Sequence, residues 1–418
     1  MLYQWQYLME QDVRFPGLPL VGKNHFSKEE NMTMPLGPVR YLVPPISLIG
    51  CGTAKAVGDY LKTLGAKKAL IVTDKGLSKI GVAGTIKKYV EDAGLQAVIF
   101  DGAEPNPTDQ NVADGVKAYQ ENACDSIISL GGGSSHDTGK GVGIVATNGG
   151  KIKDFQGIDT VKKPMPPLIA INTTAGTGSE VTPAAVITNT ENHVKMVVWS
   201  INVSANVAID DPELMIGMPP ALTAATGMDA LTHAVEAYVS LGHNPRADAL
   251  ALKAIEMIAK YLRKAVANGQ SIEARTGMAY AQTLAGEAFS SAGLGIAHSL
   301  AHQPGSFIGL PHGVCNAVFL PLVCEFNMNA CLERYADIAV AMGEDITGMT
   351  TRDAALTGID AIRTLSADIG IPAGLAQLGM KEEDIPKMAE WALKEVCTPT
   401  NPRNTTLQDM VDIYKKAM

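Results

Sequence analysis

The sequence predicts a parallel α/β unit followed by an all-helical one, and three features predict it. Between Tyr41 and residue 218, apolar runs of strand length alternate with helix-length segments of mixed polarity. After Pro219-Pro220 those runs give way to amphipathic stripes with helical spacing. At 418 residues the chain is also too long for one ordinary core. The expected division is an N-terminal extension over 1–40, an α/β domain over 41–218 and a helical domain over 219–418.

Residues 1–40 mix Gln, Asn, Lys and Glu with prolines and show no useful periodicity, so they read as an extension. Met32 or Met34 offers an alternative start, and no basic start followed by an apolar run marks a secretory leader in the first 20 residues. The runs at 69–74, 97–102, 126–133 and 167–174 are mainly apolar, as in strands buried on both faces of a parallel sheet. Ligands of such sheets bind at the carboxyl ends of the strands. The polar residues ending these runs, Asp74, Gly131 to Gly133, Thr173 and Thr174, are therefore expected along one edge. In the second half, 248–269 aligns Leu250, Ala254, Met257, Ile258, Tyr261 and Leu262 on one helical stripe and stops at Asn268-Gly269. Further helices are expected at 273–289, 329–342, 352–369 and 382–396, with no internal repeat.

Composition narrows the function. A chain that is 46% hydrophobic and 18% charged is globular, and a net charge of −9 lacks the basic footprint that nucleic acid or an anionic membrane requires. Small molecules are the expected partners. The six cysteines form no C-x-x-C pair and are sparse, which points to a reducing cytoplasm. The uncharged stretch from Ala288 to Cys324 is long enough to cross a membrane, but its glycines, prolines, serines and three histidines favour a place buried in protein.

Gly131-Gly132-Gly133-Ser134-Ser135 follows an apolar run and precedes an expected helix from His136 to Ala146. Glycines there let a phosphate approach the backbone, where a helix N-terminus offers free N–H groups. The spacing is not G-x-G-x-x-G. A second small-residue loop, T-T-A-G-T-G-S-E over 173–180, also follows a strand, and two such loops suit a pyrophosphate and a nicotinamide. A carboxylate at Asp74 would accept ribose hydroxyls and repel a 2′-phosphate, which predicts NAD over NADP.

The histidines point to a metal. No Asp, Glu, Lys or Arg occurs between Glu287 and Glu325, yet His298, His302 and His312 lie there. Asp229 and His233 are four residues apart in a helical segment and can share one ion; His298 and His302 repeat that spacing. A lone histidine is more often structural than a ligand, but one carboxylate with several imidazoles makes an N/O site suited to Fe(II), Zn(II) or a similar ion. Four imidazoles leave one in excess of a four-ligand site, available as a proton relay. His136 and His193 belong to the nucleotide half and are left out.

The segments G-M-D-A-L-T-H-A-V-E-A-Y-V-S, G-L-G-I-A-H-S-L-A-H, L-P-H-G-V-C-N-A, G-G-G-S-S-H-D, I-N-T-T-A-G-T-G-S-E and T-N-P-R resemble those of the iron-dependent (group III) alcohol dehydrogenase family. The resemblance runs from about Tyr41 to the C-terminus and is strongest toward NAD-dependent methanol and short-chain alcohol dehydrogenases. It implies a Rossmann-like N-terminal domain, an all-α C-terminal domain, an architecture like that of dehydroquinate synthase, and a homo-oligomer. It assigns the metal, most often Fe(II), to Asp229, His233, His298 and His312, and makes His302 the non-ligand histidine beside the nicotinamide. Asp74, Gly131, Gly132, Gly133, Ser134, Thr173, Thr174 and Lys195 match its cofactor-contacting positions. Three places depart from the pattern: Pro304 and Leu322 replace a usual leucine and a common histidine, and Phe289-Ser290-Ser291 a usual Phe-Asn-Asn.

The expected reaction is reversible hydride transfer between a short primary alcohol or diol and NAD, giving the aldehyde, with His302 carrying the proton. Rivals within the superfamily are a zinc-dependent glycerol or polyol dehydrogenase, a lactaldehyde reductase and a lyase of the dehydroquinate synthase type. The lyase needs a Lys/Arg cluster, and the site segments hold none. A metal-dependent hydrolase needs a glutamate base; Glu236 follows His233 by three residues, but no H-E-x-x-H occurs. A non-catalytic filament or interaction protein is the remaining alternative.

Overall fold

The computed structural model of the protein describes residues 38–418 except His193. The expected extension therefore lies almost wholly outside the described residues, as does His193, one of the two histidines assigned to the nucleotide half.

Strands β1 (Ile46–Ile49), β2 (Lys68–Val72), β3 (Gln96–Phe100), β4 (Ser126–Gly131), β6 (Leu168–Asn172) and β9 (Val207–Asp210) form a parallel sheet in the order β1-β9-β6-β4-β2-β3. The short β5 (Gly157–Ile158) pairs with β8 (Val194–Trp199), which runs antiparallel to β7 (Ala184–Asn189) in a second sheet. Alternation along each central strand explains why they read as continuous apolar runs. Leu70, Ile127, Leu168 and Ala170 face α4 (Asp109–Glu121) and α5 (Gly133–Asn148). Ile71, Ile128, Ile169 and Ile209 face α1 (Val57–Thr63) and α3 (Val82–Asp92), with the one-turn α2 (Lys75–Lys79) between those helices in sequence. All eight are fully buried or within 1% of it, and each large side chain contributes about 1.5–3 kcal/mol of hydrophobic stabilisation.

All four expected runs overshoot their strands by two residues, since the strands end at Val72, Phe100, Gly131 and Asn172. The overshoot is informative: the polar tails leave the ladder and become loops on one edge. From β2 the chain moves out to β3 and then returns to β4 on the other side of β2. Helices after β2 and β4 thus lie on opposite faces, leaving the crevice in which open α/β sheets bind ligands.

Beyond α6 (Pro212–Met215), the chain is helical. Helices α7 (Pro220–Val239), α8 (Pro245–Ala267) and α9 (Ile272–Ala292) pack around one apolar cluster. A second cluster joins α10 (Ile296–Ile308) and α11 (His312–Asn327) to the terminal helices. Helices α12 (Leu332–Met342) and α13 (Thr351–Asp368) complete the first cluster, α14 (Ile385–Leu393) and α15 (Leu407–Lys416) the second. Helix α8 stops at Asn268, as its sequence predicts, but begins three residues before the expected 248, capped by Asn244; Ala254, Ile258 and Leu262 are buried, while Leu250, Met257 and Tyr261 pack at the margin. No helix among the described residues is long and apolar enough to cross a membrane.

A buried polar hub fastens the helices to the sheet. Gln282 of α9 donates to Glu180 Oε1 (2.8 Å) and Asp210 Oδ1 (3.0 Å), and its own oxygen accepts from Gly178 N (3.0 Å). Gly178 is left-handed (φ 60°), and a Cβ there would lie 2.7 Å from Gly286 Cα. Burial raises both carboxyls, Asp210 well above its ordinary value with Glu180 adding repulsion. The folded chain therefore keeps a proton that the unfolded chain releases near pH 4. The resulting stability is complete below that pH and is lost as pH rises through the folded pKa. Glu180→Gln, which cannot ionise, is expected to flatten this decline, read as a smaller fall in Tm than in the parent as the pH is raised from about 4. A fall as steep as the parent's would remove Glu180 as its source.

Candidate metal centre and cofactor cleft

The cofactor edge is built from three loops. Gly132 caps α5, so the helix starts at Gly133, three residues before the expected His136, because the glycine turn forms its first turn. N–H groups of that turn lack helical acceptors and suit an anion. Gly131 has φ 145°, and a Cβ there would lie 2.4 Å from Ser135 Oγ. Thr173 N donates to Gly131 O at 3.0 Å, and a Cβ on Gly132 would meet Thr174 Cγ2 at 3.0 Å, so the two small-residue loops lie against each other. Ser134 is half-buried on the same first turn, its carbonyl taken by Thr138 Oγ1. Asp74 caps α2 by accepting from Leu77 N at 3.0 Å, and Leu77 Cδ1 borders Gly131. The structure thus gathers Asp74, Gly131 to Ser134, Thr173 and Thr174 along one edge. His136, by contrast, is fully buried against Ser129 Oγ, and burial lowers it to about 3, which makes it a structural residue.

The loop over 173–180 also reaches the helices. A Cβ at Gly176 would lie 2.7 Å from Thr226 Cβ, so the loop lies directly on α7. That helix carries Asp229, His233 and Glu236 at i, i+4 and i+7, all buried.

Asp229, His298 and His312 offer ligand atoms within 4.8 Å of one another. Asp229 Oδ1 lies 4.0 Å from His298 Nε2 and 3.5 Å from His312 Nε2. His233 stands outside this trio, stacked between Phe289 (4.4 Å) and His298 (4.5 Å), with its Nδ1 buried and unpartnered. His312 starts α11. Burial holds His233 down to about 4 and His312 well below its ordinary value, so both are neutral, the state a metal ligand needs.

One residue that sequence reasoning missed tests whether a cation fits. Asn316, one turn after His312, aims its Nδ2 at Asp229 Oδ1 (2.7 Å), His298 Nε2 (3.1 Å) and His312 Nε2 (3.1 Å). With both imidazoles as Nδ1–H tautomers, three acceptors converge on an amide with two hydrogens, and one is left without a donor. A divalent cation at that point would satisfy all three, and the donor set matches a first-row ion.

Two carboxylates hold the histidines of α10. Glu236 Oε2 lies 2.5 Å from His298 Nδ1, while its Oε1 accepts from Ala297 N at 2.6 Å. Desolvation opposes a charge on His298, but Glu236, together with Asp229 and Glu395, outweighs it and raises the imidazole's pKa. Glu236 is thus the partner of a histidine and not a base free for hydrolysis. Glu395 Oε1 lies 3.0 Å from His302 Nδ1; burial would raise this carboxyl, but His302 brings it down to about 2. Lys195 on β8 bonds Asn106 Oδ1 at 3.0 Å, and a Cβ at Gly305 of α10 would lie 3.7 Å from its Nζ. Burial lowers this lysine, with Cys315, Glu395 and Asp229 among the groups opposing the shift.

Comparison with known proteins follows this geometry. Residues 44–212 match the family described as iron-containing alcohol dehydrogenase, and 223–418 match the C-terminal region of the same family. The NAD-dependent methanol dehydrogenase of Bacillus methanolicus is 50% identical over 378 residues, 90% of this chain and 99% of that one. The 1,3-propanediol dehydrogenase of Klebsiella pneumoniae is 52% identical over 90% of this chain and 98% of its own. A solved structure of 1,3-propanediol oxidoreductase superposes with a TM-score of 0.90 at 52% identity, covering 91% of this chain and 100% of that one. The chain belongs to the iron-containing alcohol dehydrogenase family.

It is accordingly an oxidoreductase of the alcohol dehydrogenase type, and its departures from the family's sequence pattern can be placed. Pro304 sits inside α10 and cannot donate to the carbonyl of Leu300; Tyr414 Oη does so instead, at 2.8 Å. Leu322 packs at the margin of the second helical cluster, and nothing in the structure explains why it replaces a histidine. Ser290 and Ser291 turn back on their own helix, bonding Gly286 O and Ala288 O.

The Glu236 geometry gives a sharp expectation. In Glu236→Gln the amide oxygen must take the bond from Ala297 N, because an NH2 cannot accept it. The amide NH2 then faces His298 Nδ1 and forces the proton onto Nε2, the nitrogen that faces Asp229. Divalent-metal affinity, measured by chelator competition, is expected to fall about 10–100-fold with the fold intact. Unchanged affinity would show that Glu236 does not set the His298 tautomer.

Proposed function

We propose that this protein is an NAD-dependent, metal-containing alcohol dehydrogenase that interconverts short primary alcohols or diols with their aldehydes. The observation that carries this reading is the loop over 173–180, which touches the glycine turn after β4 on one side and the Asp229 helix on the other. A cofactor on that edge and a metal on that helix therefore share one cleft. The names of the methanol and 1,3-propanediol dehydrogenases, at 50% and 52% identity, support small alcohols as substrates.

Asp229, His233, His298 and His312 are the ligands in this reading, with Fe(II) first and Zn(II) second. Asp74, Gly131, Gly132, Gly133, Ser134, Thr173, Thr174 and Lys195 hold the cofactor. When bound, the ion would supply Lewis acidity to the alcohol oxygen and the nicotinamide would take up the hydride. Asp229 contributes the one carboxylate of the trio. Apolar groups, among them the half-buried Phe289 against His233, limit the access of water. His302, outside the ligand set, takes the alcohol proton at Nε2 and passes it outward. The division near residue 219 into cofactor and metal domains, homo-oligomeric assembly and a cytoplasmic setting complete the proposal; six free thiols support the last.

An NADH absorbance assay over a panel of short alcohols, with metal analysis of protein purified without added ions, tests the reading directly. His298→Ala is expected to lose metal and activity together, whereas His302→Ala keeps the metal and loses about a hundredfold in kcat. Metal retained in the first variant, or lost in the second, overturns those roles. Asp74→Ser keeps the cap on α2 but removes the charge, and should shift the NAD-to-NADP ratio of kcat/KM by roughly tenfold or more, about 1.4 kcal/mol. An unchanged ratio would free Asp74 from the cofactor.

A further inference from the structure

The turn after α14 is tied to α10 at several points. Thr398 Oγ1 bonds Ser299 Oγ (2.8 Å), Thr400 Oγ1 bonds Leu294 O (2.6 Å), and Asn401 Oδ1 accepts from Ile296 N (3.3 Å). Glu395 enters this clamp with both oxygens committed. Its Oε2 accepts from Cys397 N at 3.0 Å, and its Oε1 lies 3.0 Å from His302 Nδ1. A carboxylate can only accept, so His302 must carry its proton on Nδ1 and keep its lone pair on Nε2.

We propose that Glu395 is a positioning residue for the reaction: it fixes the tautomer and ring orientation of His302 so that Nε2 is always the proton acceptor. The proposal rests on the reading of His302 as the proton carrier. The ring also stacks on His312 at 5.1 Å and meets the His298 ring edge-on at 6.1 Å, and neither ring contact fixes which nitrogen carries the proton. Among the described residues, Glu395 alone makes that distinction. Glu395→Gln reverses it, since the amide oxygen must accept from Cys397 N and the NH2 then faces His302 Nδ1. The variant thus keeps shape and hydrogen-bond count while moving the proton to the wrong nitrogen.

The test is a double-mutant cycle on the metal-loaded enzyme. Glu395→Gln should lower kcat by roughly a hundredfold, the lower end of the range for general acid–base catalysis, with metal content unchanged and the KM for NAD within about twofold. In the His302→Ala background the same substitution should cost nothing further. Equal losses in both backgrounds, no loss in the parent, or loss of metal from the Glu395→Gln variant would each overturn the proposal. Full kcat in His302→Ala would instead overturn the reading of His302 and take this proposal with it, so the two failures are told apart. Glu395→Asp, which remains an acceptor, should recover part of the rate. It also carries the cycle should the glutamine variant fail to fold: a loss confined to the His302 background supports the role, and an additive loss overturns it.

Discussion

Asp229, His233 and Glu236 form a buried row along one face of α7, and the rest of the site answers to that row. A carboxylate about 3% exposed, as both are, costs several kcal/mol unless its charge and lone pairs are met. Glu236 is met within the protein, by Ala297 N and the His298 ring. Asp229 is met in the described residues by an amide and two imidazoles that also need partners. That imbalance is local, but it dictates where α10 and α11 must lie. Each brings one imidazole to the same oxygen.

Much of this is legible in the sequence, for a physical reason. Strands buried on both faces read as unbroken apolar runs, and β2, β4 and β6 show themselves that way; the edge strand β3 also reads as an apolar run, though only its Ala97 is buried. Helical spacing alone pairs Asp229 with His233 and His298 with His302. The second sheet is not legible, because β7 and β8 alternate buried and part-buried residues and include Lys195. Helix α5 begins earlier than expected because glycines that look like a loop also close a helical turn.

What stays hidden are side chains whose role comes from a distant partner. Glu395 is 93 residues from His302 and carries no local motif. Asn316 has a visible signal, its place one turn after His312, but an asparagine is not a usual ligand type and draws no notice in a search for metal sites. Glu236 is visible, yet its nearness to His233 suggests a hydrolytic base, whereas its position at i+7 from Asp229 suits it to orient an imidazole from another helix. In the sequence Pro304 is only a departure. Its missing N–H is compensated by Tyr414 from the last helix, which bonds Leu300 O across 114 residues.

The absence of charge between Glu287 and Glu325 has a structural account. The carboxylates and the lysine that act on His298, His302 and His312 come from elsewhere: Asp229 and Glu236 from α7, Glu395 from the C-terminal turn, and Lys195 from β8. Each sits on an element other than α10, and Glu236 is bonded directly to the backbone of α10. Both histidine–carboxylate pairs also use one device. One oxygen is locked by a backbone N–H, which leaves the other as a pure acceptor for Nδ1. At His298 this turns the Nε2 lone pair toward Asp229, and at His302 it leaves Nε2 free for a proton. The same restraint thus yields a ligand in one place and a base in the other, and what separates them is whether Asp229 lies within reach of Nε2.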